Sequence, residues 1–189
     1  MDKLRVGVCL CGSFCTFSSV LPQIEKMCSR FDITPIMSAT AFQTDSRFGK
    51  AEDFIKQIED MCGKKVWHTI AEVEPIGPKK LLDVLAVVPA TGNTLAKLAC
   101  GIADGAVTLA VKAHLRNERP VVLAVSTNDA LSVAAKNIGT LLNAKHMYFV
   151  PFKQDDPLHK PRSAVADMTK LEETIDLAAK GQQIQPILL

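Results

Sequence analysis

The side chains best suited to chemistry stand together in residues 89–94, which read Pro-Ala-Thr-Gly-Asn-Thr. An apolar run over 81–88 leads into them and predicts a buried strand, and the apolar spacing over 95–102 then predicts a helix. A strand that ends in a polar turn and opens onto a helix directs backbone N–H groups and hydroxyls at one point. Such a point suits an anion or a polar heteroaromatic ring. An ordinary capped helix start, with Thr91 or Asn93 as the N-cap, accounts for the same residues equally well.

The elements that must position this turn alternate between strand and helix along the chain. Strands are predicted over 4–10, 33–37, 66–70, 81–88, 121–125 and 146–150, and helices over 18–30, 50–62, 95–102, 106–117, 130–143 and 163–180. The strands are almost all apolar, which is typical of a parallel sheet covered on both faces. We therefore expect an α/β fold, a doubly wound three-layer parallel sheet of the Rossmann or flavodoxin-like type. Ligands of such sheets bind outside the carboxyl ends of the strands, where the 89–94 turn falls.

The length of 189 residues fits a single domain over 1–189 with a substantial core. Within it, the charged and proline-rich segment 151–162 is predicted to be a lid or docking loop, with a stiff connection as the alternative. Residues 181–189 are predicted to form a C-terminal tail.

Composition excludes several classes of function. The formal net charge is +2 without a basic block, so we expect no nucleic-acid binding. No apolar run is long enough to span a bilayer, and the start resembles no signal peptide, so we expect a cytoplasmic protein. The six cysteines fit small core residues in a reducing compartment. Cys9, Cys11 and Cys15 lie close together, but no second Cys or His pair completes a ligand set, so we expect no metal.

The turns after the first two strands narrow the choice of ligand. They lack the Gly-x-Gly-x-x-Gly pattern and the acidic residue of dinucleotide folds, and no nucleoside-triphosphate loop is present. A site for one phosphate and one ring remains, which points to FMN. Gly12, Ser13, Ser38 and Thr40 are candidates for the phosphate, and the 89–94 turn is the candidate for the ring. Hydroxyl-rich turns also serve simply as helix caps, which is the alternative here.

The 89–104 stretch resembles the flavoprotein family that contains the FMN-dependent cysteine decarboxylases and the flavin prenyltransferases. Residues 89–94 match the family motif Pro-Ala-Ser-Ala-Asn-Thr, and residues 95–104 match its continuation, Ile-Ala-Lys-Ile-Ala-Asn-Gly-Ile-Ala-Asp. The resemblance implies an FMN cofactor near a subunit boundary in a homotrimer or a larger oligomer. The cofactor-binding residues predicted with it are Gly12, Ser13, Phe14, Ser38, Thr40, Pro89, Ala90, Thr91, Asn93, Thr94 and Ser126.

Two departures from the family disfavour cysteine decarboxylation. The decarboxylases carry Pro-x-Met-Asn-x-x-Met-Trp after strand five, whereas residues 125–132 here read Val-Ser-Thr-Asn-Asp-Ala-Leu-Ser. Of that motif Asn128 survives, without the Met and Trp. The position of the family's catalytic histidine falls near Pro75, and His68 lies seven residues earlier.

Residues 74–83, 112–117, 126–129 and 148–157 resemble one branch of this family, over roughly residues 3–178. That branch forms the second subunit of an enzyme that makes dipicolinic acid in the mother cell of a spore-former. The resemblance implies oxidation of dihydro- or hydroxytetrahydro-dipicolinate, a small dicarboxylate. It also implies a partner A subunit that resembles a nicotinamide-binding dehydrogenase and would carry NAD(P).

Such a reaction needs a hydride acceptor, which flavin would supply, and groups that bind the two carboxylates. Asn128 and Ser126 are candidates for a substrate carboxylate, with an N-cap of the following helix as the alternative. Arg116, Lys160 and Arg162 could each pair with a carboxylate, although isolated surface cations more often only solubilise.

Two histidines are candidates for acid–base chemistry. His68 follows Trp67 in a predicted strand, and a structural role is the favoured alternative. His114 lies between Lys112 and Arg116 on a predicted helix, where we expect a solvated face. Three hypotheses follow: an FMN-binding subunit that takes part in the oxidation, a non-catalytic scaffold for the A subunit, or a decarboxylase or prenyltransferase of the wider family.

Overall fold

The computed structural model describes residues 3–189, and a seven-stranded sheet forms its centre. The strands are β1 Arg5–Leu10, β2 Asp32–Met37, β3 Val84–Ala90, β4 Val121–Thr127, β5 Met147–Phe149, β6 Phe152–Lys153 and β7 Ala164–Ala166. They run in the order β2-β1-β3-β4-β7-β6, with β5 also paired to β4. The pairings among β1 to β5 are parallel. This confirms the predicted doubly wound α/β fold.

Helices cover both faces of the sheet. They are α1 Phe17–Cys28, α2 Ala39–Gln43, α3 Ala51–Cys62, α4 Ile70–Val73, α5 Gly92–Ala99, α6 Ala106–Leu115, α7 Ala135–Leu142 and α8 Leu171–Ala178. Helices α1, α3 and α8 form one packed group, and α5, α6 and α7 form the other. No helix within residues 3–189 combines the length and the apolar character that crossing a membrane requires.

The strand sequences are apolar because both faces of the sheet are buried. Every residue of β3 is buried, and in β4 only the last residue is partly exposed. Helix α1 turns Val20, Leu21 and Ile24 inward, as its apolar spacing predicts. Because β1 to β5 are parallel, their carboxyl ends lie at one edge of the sheet, and the helices packed on both faces fix the sheet in place.

The predicted helix over 163–180 is wrong over residues 163–170, where the chain forms a short strand and a 3-10 turn. Residues Ala164–Ala166 form β7, which pairs antiparallel with Ser126 and Thr127 at the end of β4. Helix α8 begins only at Leu171. The end of β4 extends past the short β5 and offers unpaired N–H and C=O groups, and β7 satisfies them.

The predicted strand over 66–70 is also wrong. Only Trp67 joins the sheet, where its N–H donates to the Pro35 carbonyl and its own carbonyl accepts from Met37. Thr69 then starts α4, because its hydroxyl accepts from the Glu72 N–H while the Glu72 carboxylate accepts from the Thr69 N–H. This reciprocal capping box turns the chain into a helix.

Two other segments differ from expectation. The predicted helix over 130–143 begins at Ala135, because the Asp129 carbonyl accepts from Ser132 and Ala134 and holds the preceding residues in turns. The C-terminal tail is docked on the sheet: the Phe152 N–H donates to Ile187, and the Leu189 N–H donates to Phe152.

Candidate functional site

Two adjoining cavities lie at the carboxyl ends of the central strands. The larger measures about 750 Å³ and the smaller about 430 Å³. Gly12, Thr91 and Asn93 line both, so the start of α5 stands between them. Polar corners that follow separate strands therefore meet at one edge of the sheet, as the parallel topology requires.

The start of α5 is held by its own side chains. Thr91 is the N-cap, and its hydroxyl accepts from the Thr94 N–H at 3.2 Å and lies 3.0 Å from the Thr94 hydroxyl. Pro89 and Ala90 are the buried last residues of β3 and lead directly into this cap. The capped-helix alternative is therefore correct for Thr91, and Asn93 lines both cavities.

The smaller cavity is rich in hydrogen-bond donors. Ser38 and Thr40 line it from the corner after β2, and Ser38 also caps α2 by accepting from the Ala41 N–H at 3.2 Å. Residues 105–108, at the N-terminus of the ten-residue helix α6, also line it. Lys97 lies at this cavity and pairs with Asp104 at 2.8 Å. Hydroxyls, helix-terminal N–H groups and a nearby cation together suit a phosphate.

The larger cavity combines hydroxyl, amide and aromatic groups. The Ser13 and Ser126 hydroxyls are hydrogen-bonded at 2.8 Å in its wall, which joins the corners after β1 and β4. Asn128 lines it beside Ser126, and the rings of Phe14 and Phe48 supply apolar surface. A planar ring with polar edges matches this lining.

Gly92 is required by the polar side chains next to it. A Cβ there would lie 2.7 Å from the Thr127 hydroxyl and 2.8 Å from an Asp129 carboxylate oxygen. The Thr127 hydroxyl itself donates to Asp129. The space beside the Gly92 backbone is therefore filled by this Thr127–Asp129 pair.

Comparison with known proteins identifies the family. The family model described as Flavoprotein matches residues 1–180. The chain belongs to the flavoprotein family. The B subunit of dipicolinate synthase from Bacillus subtilis is 44% identical to this flavoprotein over 186 residues, which cover 98% of this chain and 93% of the relative.

Solved structures show the same relationship. The crystal structure of the dipicolinate synthase B subunit from Bacillus halodurans is similar to this flavoprotein with a TM-score of 0.90 at 41% identity, covering 100% of this chain and 98% of that one. The FMN-dependent cysteine decarboxylase SpaF gives a TM-score of 0.66 at 23% identity over 94% of this chain and 98% of that one. A likeness at that identity shows the shared fold.

The predicted cofactor-binding residues of this flavoprotein, including the four phosphate candidates Gly12, Ser13, Ser38 and Thr40, do not all meet in one cavity. Ser13 and Phe14 line the larger cavity, whereas Ser38, Thr40 and Thr94 line the smaller one. Gly12 lies between the two groups, and a Cβ there would come within 2.8 Å of the Thr40 methyl group. The predicted residues are therefore brought to one edge of the sheet but are divided around α5.

Four candidate side chains lie away from both cavities, and Arg162 is one of them because it lines neither. The His68 ring stacks on Phe42 with centroids 3.6 Å apart, which is the structural role given as its alternative. Arg116 is the C-cap of α6, at the opposite end of that helix from the smaller cavity. His114 is buried instead of solvated, and its Nε2 lies 3.1 Å from the Pro120 carbonyl.

Cys11 lines the smaller cavity beneath the α5 turn. Burial raises the pKa of its thiol to about 11, although hydrogen bonds with Thr94 and the Thr91 backbone lower it in part. The thiol is therefore protonated at neutral pH and contributes a neutral, weakly polar wall. Residues 3–189 contain no group of three or more His, Cys, Asp or Glu side chains arranged to hold a metal ion.

Sequence reasoning missed several cavity residues. Arg47 and Phe48 line the larger cavity from the 46–49 turn, and Asp129 and Asp155 add carboxylates to it. A signal for the turn was present, since Asp45-Ser46 and Gly49 bracket the pair and are typical turn residues. No local pattern indicates that this turn faces the corner after β4.

Proposed function

We propose that this flavoprotein is the FMN-binding B subunit of a dipicolinate synthase. In this role it acts with an A subunit to oxidise dihydro- or hydroxytetrahydro-dipicolinate to dipicolinic acid. The observation that carries the proposal is the 44% identity with the B subunit of a dipicolinate synthase over 98% of the chain. Two donor-lined cavities at the carboxyl ends of the sheet support the flavin part of it.

The residues of the smaller cavity fit the FMN phosphate. We assign this group to the hydroxyls of Ser38 and Thr40 and to the free N–H groups at the start of α6. A helix start offers N–H groups without intrahelical partners, together with the positive end of the helix dipole. Lys97 adds a formal positive charge nearby, although Asp104 partly offsets it.

The residues of the larger cavity fit the flavin ring. Asn93 faces both cavities, so its amide is placed to hydrogen-bond a ring edge while the helix start behind it faces the phosphate. The Phe14 ring gives an apolar wall that is fixed by packing on Phe17, with centroids 5.5 Å apart. When bound, a flavin accepts a hydride and so supplies the oxidising chemistry.

Asn128 and Ser126 form the substrate side of this proposal. Both line the larger cavity at the end of β4, and Ser126 is tied to Ser13 through their hydroxyls. Their hydrogen-bond donors suit a carboxylate next to the ring position. We assign His68 and Arg116 no part in the site, because neither lines the cavities.

The proposal includes partners for the chain. NAD(P) would be bound by the A subunit, and the mother cell of a sporulating bacterium would be the place of action. We also propose a homotrimer or a larger oligomer, which the exposed apolar side chains Leu131 and Val133 support.

Flavin binding and synthesis of dipicolinate test the proposal together. Purified wild-type protein should show a flavin spectrum or take up added FMN, and FMN affinity should fall at least about tenfold in Asn93→Ala, which removes one cofactor hydrogen bond. Asn128→Ala should keep FMN but slow dipicolinate formation when the A subunit is added. Lys136→Gln, on the exposed side of α7, is the matched control and should change neither measurement.

Other results would point elsewhere. A colourless wild-type protein that takes up no FMN, yet raises A-subunit activity, would support a scaffold role. Product from a cysteine-containing or prenyl substrate without the A subunit would support the wider family's chemistry. Unchanged dipicolinate formation in both asparagine variants would remove the site assignment.

A further inference from the structure

We propose that Arg47 and Lys160 bind the two carboxylates of a small dianionic substrate in the larger cavity. The inference rests on the proposed function and names the groups that recognise its substrate. Both side chains line that cavity, from the 46–49 turn and from the loop before β7. Lys160 is one of the carboxylate candidates named from the sequence, whereas no sequence pattern points to Arg47.

Arg47 is presented by a tight and well-anchored turn. Ser46 and Gly49 exchange backbone hydrogen bonds of 3.0 and 3.1 Å, which leaves Arg47 and Phe48 at the tip. Gly49 has a φ of +150°, and a Cβ there would lie 2.8 Å from the Phe54 ring, so the turn rests directly on α3. The tip is therefore held in place over the cavity.

The Arg47 guanidinium has no carboxylate partner among residues 3–189. It lies over the Phe48 ring at 4.9 Å from the ring centroid, which orients it without neutralising it. A guanidinium offers paired N–H donors that match a carboxylate. A cation of this kind at a cavity wall favours an anionic ligand.

Lys160 belongs to the loop before β7, and within residues 3–189 its one ion-pair partner is Asp155 of the same loop. Its Nζ lies 3.2 Å from an Asp155 carboxylate oxygen, and Asp155 also lines the cavity. Burial raises the pKa of Asp155, but hydrogen bonds from Ser163 and Lys160 lower it by more, so the carboxylate is ionised at neutral pH. A substrate carboxylate can share Lys160 with Asp155 because an ammonium carries three donors.

The cavity's two carboxylates leave Arg47 without an ion pair. Asp155 is paired with Lys160, whereas Asp129 accepts a hydrogen bond from the neutral Thr127 hydroxyl and keeps its negative charge. No ion pair joins Asp129 to Arg47 within residues 3–189, so Arg47 is the cation of this lining that lacks a carboxylate partner. Phe48 is 47% exposed beside it and offers an apolar face for the ring that joins two carboxylates.

Binding of pyridine-2,6-dicarboxylate and pyridine-2-carboxylate to the FMN-loaded protein, measured by calorimetry, tests the assignment. The wild type should bind the dicarboxylate at least about tenfold more tightly, since the second carboxylate gains a charge-assisted contact. Arg47→Gln and Lys160→Gln should each lose about tenfold for the dicarboxylate and much of the preference over the monocarboxylate. Lys136→Gln should keep wild-type values for both ligands.

A separate FMN titration identifies which anion Arg47 meets. FMN affinity should be unchanged in Arg47→Gln, whereas a comparable loss of FMN affinity would assign the guanidinium to the cofactor phosphate and overturn the inference. Equal dicarboxylate affinity in wild type and both variants, with FMN bound normally, would also overturn it while leaving the proposed function standing. Failure of the wild type to bind FMN would instead count against the proposed function.

Discussion

The pKa of His114 tests how strongly burial disfavours the charged form of a side chain in this protein. Its side chain is 1% exposed on α6, and its Nε2–H donates to the Pro120 carbonyl at 3.1 Å. Burial, with a smaller contribution from the Arg119 cation, lowers the pKa of His114 from 6.5 to about 4, against the opposing effects of the Pro120 carbonyl and Asp83. The neutral ring is therefore the form that fits the folded protein.

The shift sets the size of a pH effect on stability. Below pH 6.5 the unfolded chain takes up a proton at His114, while the folded protein resists it until the pH approaches 4. Stability is then lost as the pH falls between these values, by about 1.4 kcal/mol for each unit. Between pH 7 and pH 5 the His114 contribution comes to about 2 kcal/mol.

Urea unfolding at pH 7 and pH 5 measures this loss. His114→Gln keeps an N–H donor for the Pro120 carbonyl but cannot titrate, so the variant should lose about 2 kcal/mol less than the wild type between the two pH values. His159→Gln, at a side chain 81% exposed, should retain the wild-type dependence. Identical pH dependence in wild type and His114→Gln would refute the claim that His114 is buried in its neutral form.

Two further predictions concern packing and assembly. Gly92→Ala should destabilise the fold by about 1–3 kcal/mol in urea unfolding, because the new methyl group meets Asp129, whereas Gly139→Ala, with open space around it, should be neutral or stabilising. A stable Gly92→Ala protein would contradict the tight fit. Light scattering should give a homotrimer or a larger particle, and Leu131→Glu with Val133→Glu should reduce its mass; a wild-type monomer would contradict that proposal.

The sheet and its functional edge could be predicted because they depend on local signals. Apolar runs mark strands that are buried on both faces, as Val84–Ala90 shows. Polar turns that follow parallel strands must meet at one edge, so Ser13, Asn93 and Ser126 were found from the sequence. The sequence did not predict which of the two cavities each of these side chains lines, because that depends on the position of α5 between the cavities.

His114 shows how a local pattern can be misjudged. Lys112 and Arg116 are exposed, and their charges suggest that His114 between them is solvated as well. Side chains two positions apart on a helix do not share a face, since each residue turns the direction by about 100°. The helical period therefore places His114 away from its charged neighbours, on the face of α6 that is buried.

By itself, the sequence determined the alternation of strands and helices, the flavoprotein motif over 89–104, and the clustering of hydroxyl and amide groups at one sheet edge. Only the tertiary structure decided that residues 164–166 complete the sheet beside β4 and that Arg47 and Lys160 line the same cavity. The physical reason is distance along the chain. The backbone preference of a segment and the spacing of its buried residues depend on a few neighbouring residues. The partner of an open strand edge or of an unpaired cation instead comes from a segment that is remote in sequence.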